Sequence, residues 1–313
     1  MNKVLCTGEL LIDFIGSDTT NNLSGQASFL MKPGGAPANV ACVIAALGGT
    51  CEFFGAVGND GFGDFLEKTI KHYHVDTKNL KRSEKPTTLA FVSVDSVGER
   101  DFIFIRGADA DVCLNELNPK SFEESVIFHF GAATGFLKGD LSNTYLELLE
   151  KAHLNHKCIV FDPNYRSAFW EKDVCTFIKD MAPFLEKAHL IKLSDAEALL
   201  ITESSELSSA ADILKSRYKG TFAVTLGAEG VWLFNRSWEV KIPAQKVDVK
   251  DTTGAGDAFI GGLIYELSLV PEPQKVIESR DEMSRFAMKA NEIASKVCTE
   301  YGAMTALESL LNK

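Results

Sequence analysis

Residues 251–267, DTTGAGDAFIGGLIYEL, form the most informative stretch of the chain: a loop of small residues runs directly into a helix with regularly placed apolar positions. Gly254 and Gly256 let the backbone turn tightly and leave N–H groups uncovered at the start of that helix. A helix N-terminus has unpaired donors and the positive end of a dipole, which suits it to a phosphate group. The stretch therefore predicts a strand–loop–helix unit that binds an anion.

Asp257 lies in the first turn of this predicted helix, where an acid commonly serves only as a cap. A carboxylate beside a phosphate cradle can also accept the proton of a hydroxyl that attacks phosphorus. The heptapeptide as a whole favours this second interpretation. Neither the P-loop pattern G-x-x-x-x-G-K-[ST] nor a G-x-G-x-x-G that opens a helix occurs, so those two nucleotide-binding classes have no support.

Short apolar runs alternate with longer helical patterns over most of the chain, beginning with residues 3–14 (KVLCTGELLIDF), which we interpret as one buried strand. Runs that are apolar on both faces, alternating with helices, indicate a parallel sheet wrapped by helices. The predicted helices span residues 36–47, 61–73, 141–153, 173–187, 195–202, 257–268 and 283–299.

Two segments, about 14–33 and 86–106, do not follow this alternation. The second is predicted to be a hairpin that turns at Val97–Gly98. In its second strand Phe102, Phe104 and Arg106 point to one face, and the isoleucines between them point to the other. Edge strands of this kind are often covered, so we expect a small sheet that covers a site or pairs with another subunit.

The chain has 313 residues, 45% of them hydrophobic, and a formal net charge of -11 at pH 7. This charge argues against nucleic acid or an anionic membrane as the main partner. It does not argue against phosphates, which local N–H groups and a few cations usually hold. No apolar run could span a membrane, no signal cleavage site is found, and the seven cysteines form no C-x-x-C pair. We therefore expect a cytoplasmic protein with reduced thiols.

A second glycine motif lies near the N-terminus. Residues 34–49 (GGAPANVACVIAALGG) begin with Gly34, Gly35 and Asn39, and residues 55–64 (GAVGNDGFGD) follow downstream. Small residues alone would also be explained by a tightly packed strand–helix unit. In combination with the DTTGAGD loop, the motif favours a role in binding.

Together the two motifs resemble the signatures of the ribokinase-like (PfkB) carbohydrate kinases, and the resemblance covers essentially the whole chain. It implies a single ribokinase-like kinase domain over residues 1–313. The expected fold is a three-layer α/β/α sandwich with a mostly parallel central sheet, and the segments 14–33 and 86–106 would form a small β-sheet lid. The expected activity is ATP-dependent phosphorylation of a sugar.

The resemblance also implies roles for individual residues. Asp257 would be the general base, and the N–H groups of Gly254, Ala255 and Gly256 would form an anion hole for the moving phosphoryl group. Arg166, in the stretch DPNYR, is a candidate for a different reason: it follows a predicted parallel strand, where ligands bind, and its guanidinium could hold a carboxylate, a phosphate or the transferring group, although a surface salt bridge would also explain it. The residues expected to hold sugar hydroxyls are Asp13, Gly34, Gly35 and Asn39, with Arg106 near the mouth of the site.

For ATP, the resemblance implies a groove lined by Thr225, Gly227 and Gly230 in the stretch TLGAEG. Asn291 and Ala294, in the last long helix, would flank the adenine. These positions follow from the family pattern.

Two cation sites are also implied. Most of the family has Asn-x-x-Glu where this chain has Ser194-x-x-Glu197, a form that fructokinase-like members share. Glu197 would help to hold Mg²⁺, through water, although a helix-capping box explains the same pattern. Asp251 and Thr253, with carbonyls near Gly302, would hold a monovalent cation such as K⁺.

Fructose is the acceptor that the sequence favours. The opening GELLID resembles fructokinases, whereas 2-keto-3-deoxygluconate kinases tend to lack Asp13, whose charge would repel an acid. A phosphorylated sugar would need more positive charge than Arg106 and Arg166 offer. Kinases of 2-keto-3-deoxygluconate, ribose or nucleosides remain alternatives, as does a non-catalytic sugar- or nucleotide-binding regulator. The lid faces suggest a homodimer.

Overall fold

The structure is a computed structural model that describes residues 1–18, 22–94, 100–170, 173–300 and 302–311. The turn predicted at Val97–Gly98 lies outside the described residues.

The strands, in chain order, are β1 (Lys3–Thr7), β2 (Leu11–Gly16), β3 (Phe29–Gly34), β4 (Cys51–Gly58), β5 (Asp76–Ser83), β6 (Leu89–Val94), β7 (Arg100–Ile105), β8 (Ser125–Gly131), β9 (Cys158–Asp162), β10 (Leu190–Ser194), β11 (Thr221–Thr225), β12 (Val231–Phe234) and β13 (Glu239–Ile242). The α-helices are α1 (Ala36–Ala46), α2 (Gly61–His72), α3 (Pro119–Glu124), α4 (Asp140–Leu154), α5 (Ser167–Trp170), α6 (Val174–Lys187), α7 (Asp195–Thr202), α8 (Leu207–Arg217), α9 (Ala255–Ser268), α10 (Pro273–Ile277), α11 (Arg280–Val297) and α12 (Glu308–Leu311).

Nine of these described strands form the large sheet, in the order β13-β12-β11-β10-β9-β8-β1-β4-β5. Neighbouring strands from β5 to β11 are parallel, and β12 and β13 are added antiparallel at one edge. The predicted, mostly parallel sheet is confirmed. The run from Thr221 to Phe234 turns back on itself and so supplies the first antiparallel pair, β11 and β12.

Helices cover both faces of the large sheet, because its strands are apolar on both sides. One apolar cluster includes Val40 of α1, Leu263 of α9 and Phe286 of α11. The other includes Leu148 of α4 and Phe184 of α6. The expected three-layer α/β/α sandwich is therefore confirmed, and the carboxyl ends of its parallel strands meet at one edge, where ligands bind in open α/β sheets.

The first predicted strand, residues 3–14, is wrong as a single element, because the chain changes sheets within it. Gly8 directly follows β1 and has a φ of 148°. Its N–H donates a hydrogen bond to the carbonyl of Phe54 in β4. A side chain at Gly8 would also collide with Pro37 and approach the Tyr145 hydroxyl to 2.7 Å. This glycine separates β1, in the large sheet, from β2, in the small one.

The small sheet has the order β3-β2-β6-β7, with β2 and β6 parallel and the two outer pairs antiparallel. β3 comes from the first of the two segments that interrupt the predicted alternation, and β6 and β7 come from the second, whereas β2 begins at Leu11, inside the run predicted as the first strand. In β7, the predicted two-sided pattern is confirmed, because Ile103 and Ile105 are 52% and 49% exposed while Phe102 and Phe104 contact Phe169 of α5.

Predicted and observed helices agree to within three residues at the positions that matter for the site. The helix predicted at 257–268 begins two residues earlier, at Ala255, and the helix predicted at 283–299 spans Arg280–Val297. Among the described residues, no helix has the length and apolar character that crossing a membrane requires.

Candidate active site

Asp257 lies in the first turn of α9, close to the carboxyl edge of the large sheet, and is 8% exposed. The helix starts after Gly254, whose φ of 79° is in the left-handed region and whose missing side chain makes room for Ala303. Asn39 of α1 donates a hydrogen bond from Nδ2 to Asp257 Oδ2 at 2.8 Å. The fold thus brings together the two glycine motifs that the sequence analysis identified separately.

The N-terminus of α9 presents open donors beside this carboxylate. Among the described residues, the N–H groups of Gly254 and Gly256 have no acceptor. The Ala255 N–H instead donates to the Thr252 carbonyl at 3.1 Å. Two of the three donors predicted for an anion hole are therefore free in this structure, and the third is engaged in the turn.

Asp13 reaches the same region from β2 of the small sheet. Its carboxylate lies against Gly34, where the added bulk of any side chain would collide with Oδ2. Burial raises the pKa of Asp13 to about 6, the Arg166 charge opposes this shift, and the Asp257 charge adds to it. The charges of Arg166 and Asp257 are therefore close enough to Asp13 to shift its pKa.

The pKa of Asp257 is also raised to about 6. Burial is the main cause; the Asn39 hydrogen bond lowers the pKa, the Asp162 charge raises it, and the charges of Lys192 and Arg166 lower it. A carboxylate with such a pKa is mostly ionised at pH 7 and is more basic than an exposed aspartate. These are the properties required of a group that removes a proton from a hydroxyl.

Gly35 has a φ of 108°, and a side chain there would collide with the backbone carbonyl of Glu9. Glu9 is 1% exposed and accepts hydrogen bonds from the Ala36 N–H at 3.1 Å and from the Thr134 hydroxyl at 3.3 Å. Burial raises its pKa to about 7. Glu9, which was not predicted from the sequence as a site residue, holds the start of α1 in place.

The two arginines differ in their surroundings. Arg166 follows β9, is exposed, and acts electrostatically on Asp13 and Asp257. Arg106 pairs with Asp109 at 3.1 Å, and its two terminal nitrogens donate to backbone carbonyls of Lys138 and Thr134. Three of its five N–H groups are thus engaged at the base of the small sheet, and its contact with a substrate stays a prediction.

Glu197 closes a capping box at the start of α7. Ser194 donates to Oε2 from its N–H at 2.6 Å and from its hydroxyl at 2.9 Å, and the Tyr165 N–H donates to Oε1 at 2.6 Å. The capping interpretation is therefore confirmed. Oε1 keeps one lone pair, enough to accept a hydrogen bond from a water in the shell of Mg²⁺.

The described residues contain no group of three or more His, Cys, Asp or Glu side chains that could hold a metal ion. Mg²⁺ in kinases is commonly bound by substrate phosphates, water and one or two carboxylates, and Glu197 fits that pattern. For the predicted monovalent cation, Asp251 accepts from the N–H groups of Thr253 and Gly302, each at 2.9 Å. The three predicted positions are thus brought together.

The predicted nucleotide positions lie beyond the carboxyl ends of β10 and β11. Thr225 ends β11 and donates its hydroxyl to the Leu193 carbonyl at 3.3 Å. The turn that follows contains Gly227 with a φ of 55° and Gly230 with a φ of 100°. A side chain at Gly230 would collide with the Ile242 carbonyl, so glycine is required for this turn to pack against β13.

Helix α11 supplies the other side of this region. Asn291 is buried and donates from Nδ2 to the carbonyl of Pro243 at 3.2 Å. Ala294 is partly buried one turn further along. Asn291 thereby fixes the chain that leaves β13, and its contact with adenine stays a prediction.

Lys192 is a second residue that the sequence analysis missed. It is 6% exposed in β10, and its Nζ lies 3.1 Å from Asp162 Oδ2. A Cβ atom at Gly256 would lie 3.1 Å from the same Nζ, so the ammonium group adjoins the loop that begins α9. A lysine inside the apolar run LIKLS was the available signal, since a buried charge requires a partner.

Comparison with known proteins agrees with this arrangement. Residues 1–310 match the family described as pfkB family carbohydrate kinase. The chain is 32% identical over 309 residues to "Probable fructokinase-3" of Arabidopsis thaliana, with 97% of this chain and 88% of that protein covered.

Two crystal structures are similar over almost their whole length. A fructokinase double mutant from Vibrio cholerae O395, with fructose, ADP and potassium ion bound, has a TM-score of 0.86 and 27% identity, covering 100% of this chain and 98% of that one. The aminoimidazole riboside kinase from Salmonella enterica, complexed with aminoimidazole riboside and an ATP analog, has a TM-score of 0.84 and 29% identity, covering 99% of each chain.

The sandwich with its added small sheet is the fold of the ribokinase-like sugar kinases, a class of phosphotransferases. Because the family match extends over nearly all of the sequence, the assignment can be made more specific. The chain belongs to the pfkB family of carbohydrate kinases.

Proposed function

We propose that the protein is an ATP-dependent fructokinase, which transfers the γ-phosphoryl group of ATP to the 6-hydroxyl of D-fructose and releases ADP and fructose 6-phosphate. The observation that carries the proposal is the buried Asp257 carboxylate at the open N-terminus of α9, bonded to Asn39. The relatives named fructokinase support the choice of acceptor.

In the proposed mechanism, Asp13, Asn39 and the backbone of Gly34 and Gly35 hold the sugar hydroxyls. Asp257 accepts the proton of the attacking hydroxyl as the new P–O bond forms and the bond to ADP breaks. The free N–H groups of Gly254 and Gly256 would donate to the phosphoryl oxygens, as preorganised dipoles do at an anion hole.

Mg²⁺, when bound with ATP, would neutralise phosphate charge, and Glu197 would hold one of its waters through Oε1. Arg166 is the exposed cation that would reach the transferring group from the other side. A monovalent cation beside Asp251 and Thr253 would stabilise the loop that leads into α9.

We assign the small sheet as a lid over the sugar. Phe104 of β7 lies with its ring centroid 4.5 Å from that of Phe169, which follows Arg166 in α5. This contact would close the site and exclude water, a competing acceptor.

The other face of the lid supports a homodimer as part of the proposal. Ile103 and Ile105 are exposed there, and Ile105 pairs with Leu89, which lines a cavity of about 420 Å³ together with Met31 and Phe62. Apolar side chains grouped in this way are typical of surfaces that meet another protein.

The first test is the exchange of Asp257→Asn. Because Asn cannot accept the proton, kcat should fall by about 10²–10⁴-fold while fructose and ATP still bind. Steady-state kinetics coupled to ADP release measures kcat, and calorimetry measures binding. Asp212→Asn, an exposed aspartate of α8 with a 77% accessible side chain, is the matched control and should leave kcat unchanged. Near-normal turnover of Asp257→Asn would show that the assigned base is wrong.

The second part of the same test is an acceptor panel of fructose, ribose, 2-keto-3-deoxygluconate and aminoimidazole riboside. Fructose should give the highest kcat/KM. The aminoimidazole riboside kinase is a second candidate, because its structure is as similar to this chain as the fructokinase structure is. A preference for that riboside, or for the keto acid, would replace fructose as the assigned acceptor. Phosphorylation of none of the four would contradict the proposal.

A further inference from the structure

Lys192 is a cation inside the molecule, on the central strand β10 and on the face toward α9. Its residue is 6% exposed, with apolar neighbours Ile191 and Leu193 at 0%. Burying an ammonium group is costly unless it is paired and hydrogen-bonded. The fold has therefore to supply a partner for it.

Asp162, at the end of β9, is that partner. Its two carboxylate oxygens lie 3.1 and 3.3 Å from Lys192 Nζ, and Oδ1 also accepts from the Asn164 N–H at 3.2 Å. An ammonium group has three donors, of which these two oxygens take at most two. At least one N–H of Lys192 is left for another acceptor.

Gly256 shows where that donor is available. A Cβ atom at this position would lie 3.1 Å from Nζ, with no other side chain as close, so the ammonium group borders the loop beside the free N–H groups of Gly254 and Gly256. The Lys192 side chain stays protonated. Burial lowers its pKa, but the carboxylates of Asp162, Glu197 and Asp257 outweigh burial and raise it.

We propose that Lys192 is a further catalytic residue, whose ammonium group donates a hydrogen bond to an oxygen of the transferring phosphoryl group. This inference rests on the proposed phosphoryl transfer. The bond from phosphorus to ADP breaks, the bond from phosphorus to the acceptor oxygen forms, and Asp257 takes the acceptor proton. Lys192 keeps its protons throughout and stabilises the charge on the phosphoryl oxygens.

The competing explanation is that Lys192 is only the counter-ion of Asp162. The two explanations differ in one respect: a counter-ion has no contact with the γ-phosphate and so does not distinguish ADP from a triphosphate. The test therefore compares two nucleotides in the absence of any sugar.

We expect Lys192→Met to bind the ATP analogue AMP-PNP about 10- to 100-fold more weakly, in the presence of Mg²⁺, because one charge-assisted hydrogen bond is lost. Its affinity for ADP should change by less than about 2-fold, since ADP lacks the contacted group. Calorimetry measures both, and kcat should fall by about 10²–10³-fold. Lys187→Met, a surface lysine of α6 paired with Glu150, is the matched control and should change none of these quantities.

A second variant covers the case in which Lys192→Met leaves Asp162 as an unpaired buried charge and fails to fold. The double change Lys192→Met with Asp162→Asn removes both charges and should show the same selective loss for AMP-PNP. Equal losses for ADP and AMP-PNP, or a double variant with wild-type kcat, would contradict the proposal. If the wild type phosphorylates no tested sugar but the nucleotide difference persists, the acceptor assignment fails and the role of Lys192 stands.

Discussion

Asp257 has to be ionised before it can accept a proton, and its neighbours determine the pH at which that occurs. Burial raises its pKa to about 6, and the hydrogen bond from Asn39 lowers it. Below that pH the protonated carboxyl cannot act as a base. Asn39, which positions Asp257, therefore also shifts the acid limit of its activity, which burial mainly determines.

We predict that kcat/KM falls as the pH drops through about 6, and that Asn39→Ala moves this midpoint to higher pH. The reason is that Asn39 stabilises the ionised form of Asp257. A pH profile of kcat/KM measures the shift, which a purely structural loss of affinity would not produce.

Asp13 titrates in the same range, with a pKa of about 6, and the charge of Arg166 lowers the pKa of both carboxyl groups. The control is therefore Asp13→Asn, which should lower kcat/KM yet keep an acid limb from Asp257. An Asn39→Ala profile with an unchanged or lower midpoint would contradict the assignment.

At the scale of single residues, the sequence indicated which residues belong to the site better than it indicated which of them are in contact. Asp257 and Asn39 could be identified from their glycine motifs, but the 2.8 Å bond between them depends on α1 packing against α9. Lys192 and Glu9 were missed because each lies outside a glycine loop, in or beside an apolar run. Their importance comes from burial next to partners distant in sequence, which periodicity does not reveal.

At the scale of elements, periodicity located the helices and failed where one residue changes the direction of the chain. Residues 3–14 have the apolar pattern of one strand, but the positive φ of Gly8 divides them between two sheets. The left-handed start of α9 at Gly254 similarly allowed that helix to begin before Asp257. Packing determines the backbone conformation at these glycines: Gly8 packs closely against Pro37, and Gly254 packs closely against Ala303.

The lid sheet leads to a prediction about assembly. If Ile103 and Ile105 lie in a dimer interface, Ile103→Lys should convert a dimer into a monomer, because it places a charge in an apolar contact. Size-exclusion chromatography with light scattering measures the mass in solution.

Leu154→Lys is the matched control, since Leu154 is 73% exposed at the end of α4, away from the lid. It should leave the mass unchanged. A monomeric wild type, or an Ile103→Lys variant that stays dimeric, would remove the lid from consideration as an interface.

At the scale of the whole molecule, several buried carboxyl groups affect stability. Glu9, Asp13 and Asp257 have pKa values raised to about 7, 6 and 6, chiefly by burial. Between the ordinary pKa of each group and its raised pKa, the folded state binds more protons than the unfolded state. Each group therefore lowers the free energy of unfolding as the pH rises toward and through its raised pKa. His129, whose pKa burial lowers to about 3, contributes with the opposite sign.

We predict that Glu9→Gln is stabilised relative to wild type when the pH is raised from 5.5 to 8. The relative gain should be roughly 1–2 kcal/mol, because the variant lacks the group whose ionisation is penalised by burial. Gln keeps an acceptor for the Ala36 N–H, so the start of α1 is preserved.

Denaturant unfolding of both proteins at the two pH values provides this measurement. The effect of His129 on the free energy of unfolding cancels in this comparison, because both proteins contain it. A difference that stays constant with pH, or that changes in favour of wild type as the pH rises, would show that Glu9 does not titrate as described.

Asp13 is attached to one sheet, and Asp257 and Asn39 are attached to helices on the other. On the proposed function, an acceptor must therefore be long enough to touch both halves at once. An alcohol that contacts only one half would lack the hydrogen bonds of the other half, however abundant it were. Selection among alcohols would then follow molecular length more closely than the strength of any single contact.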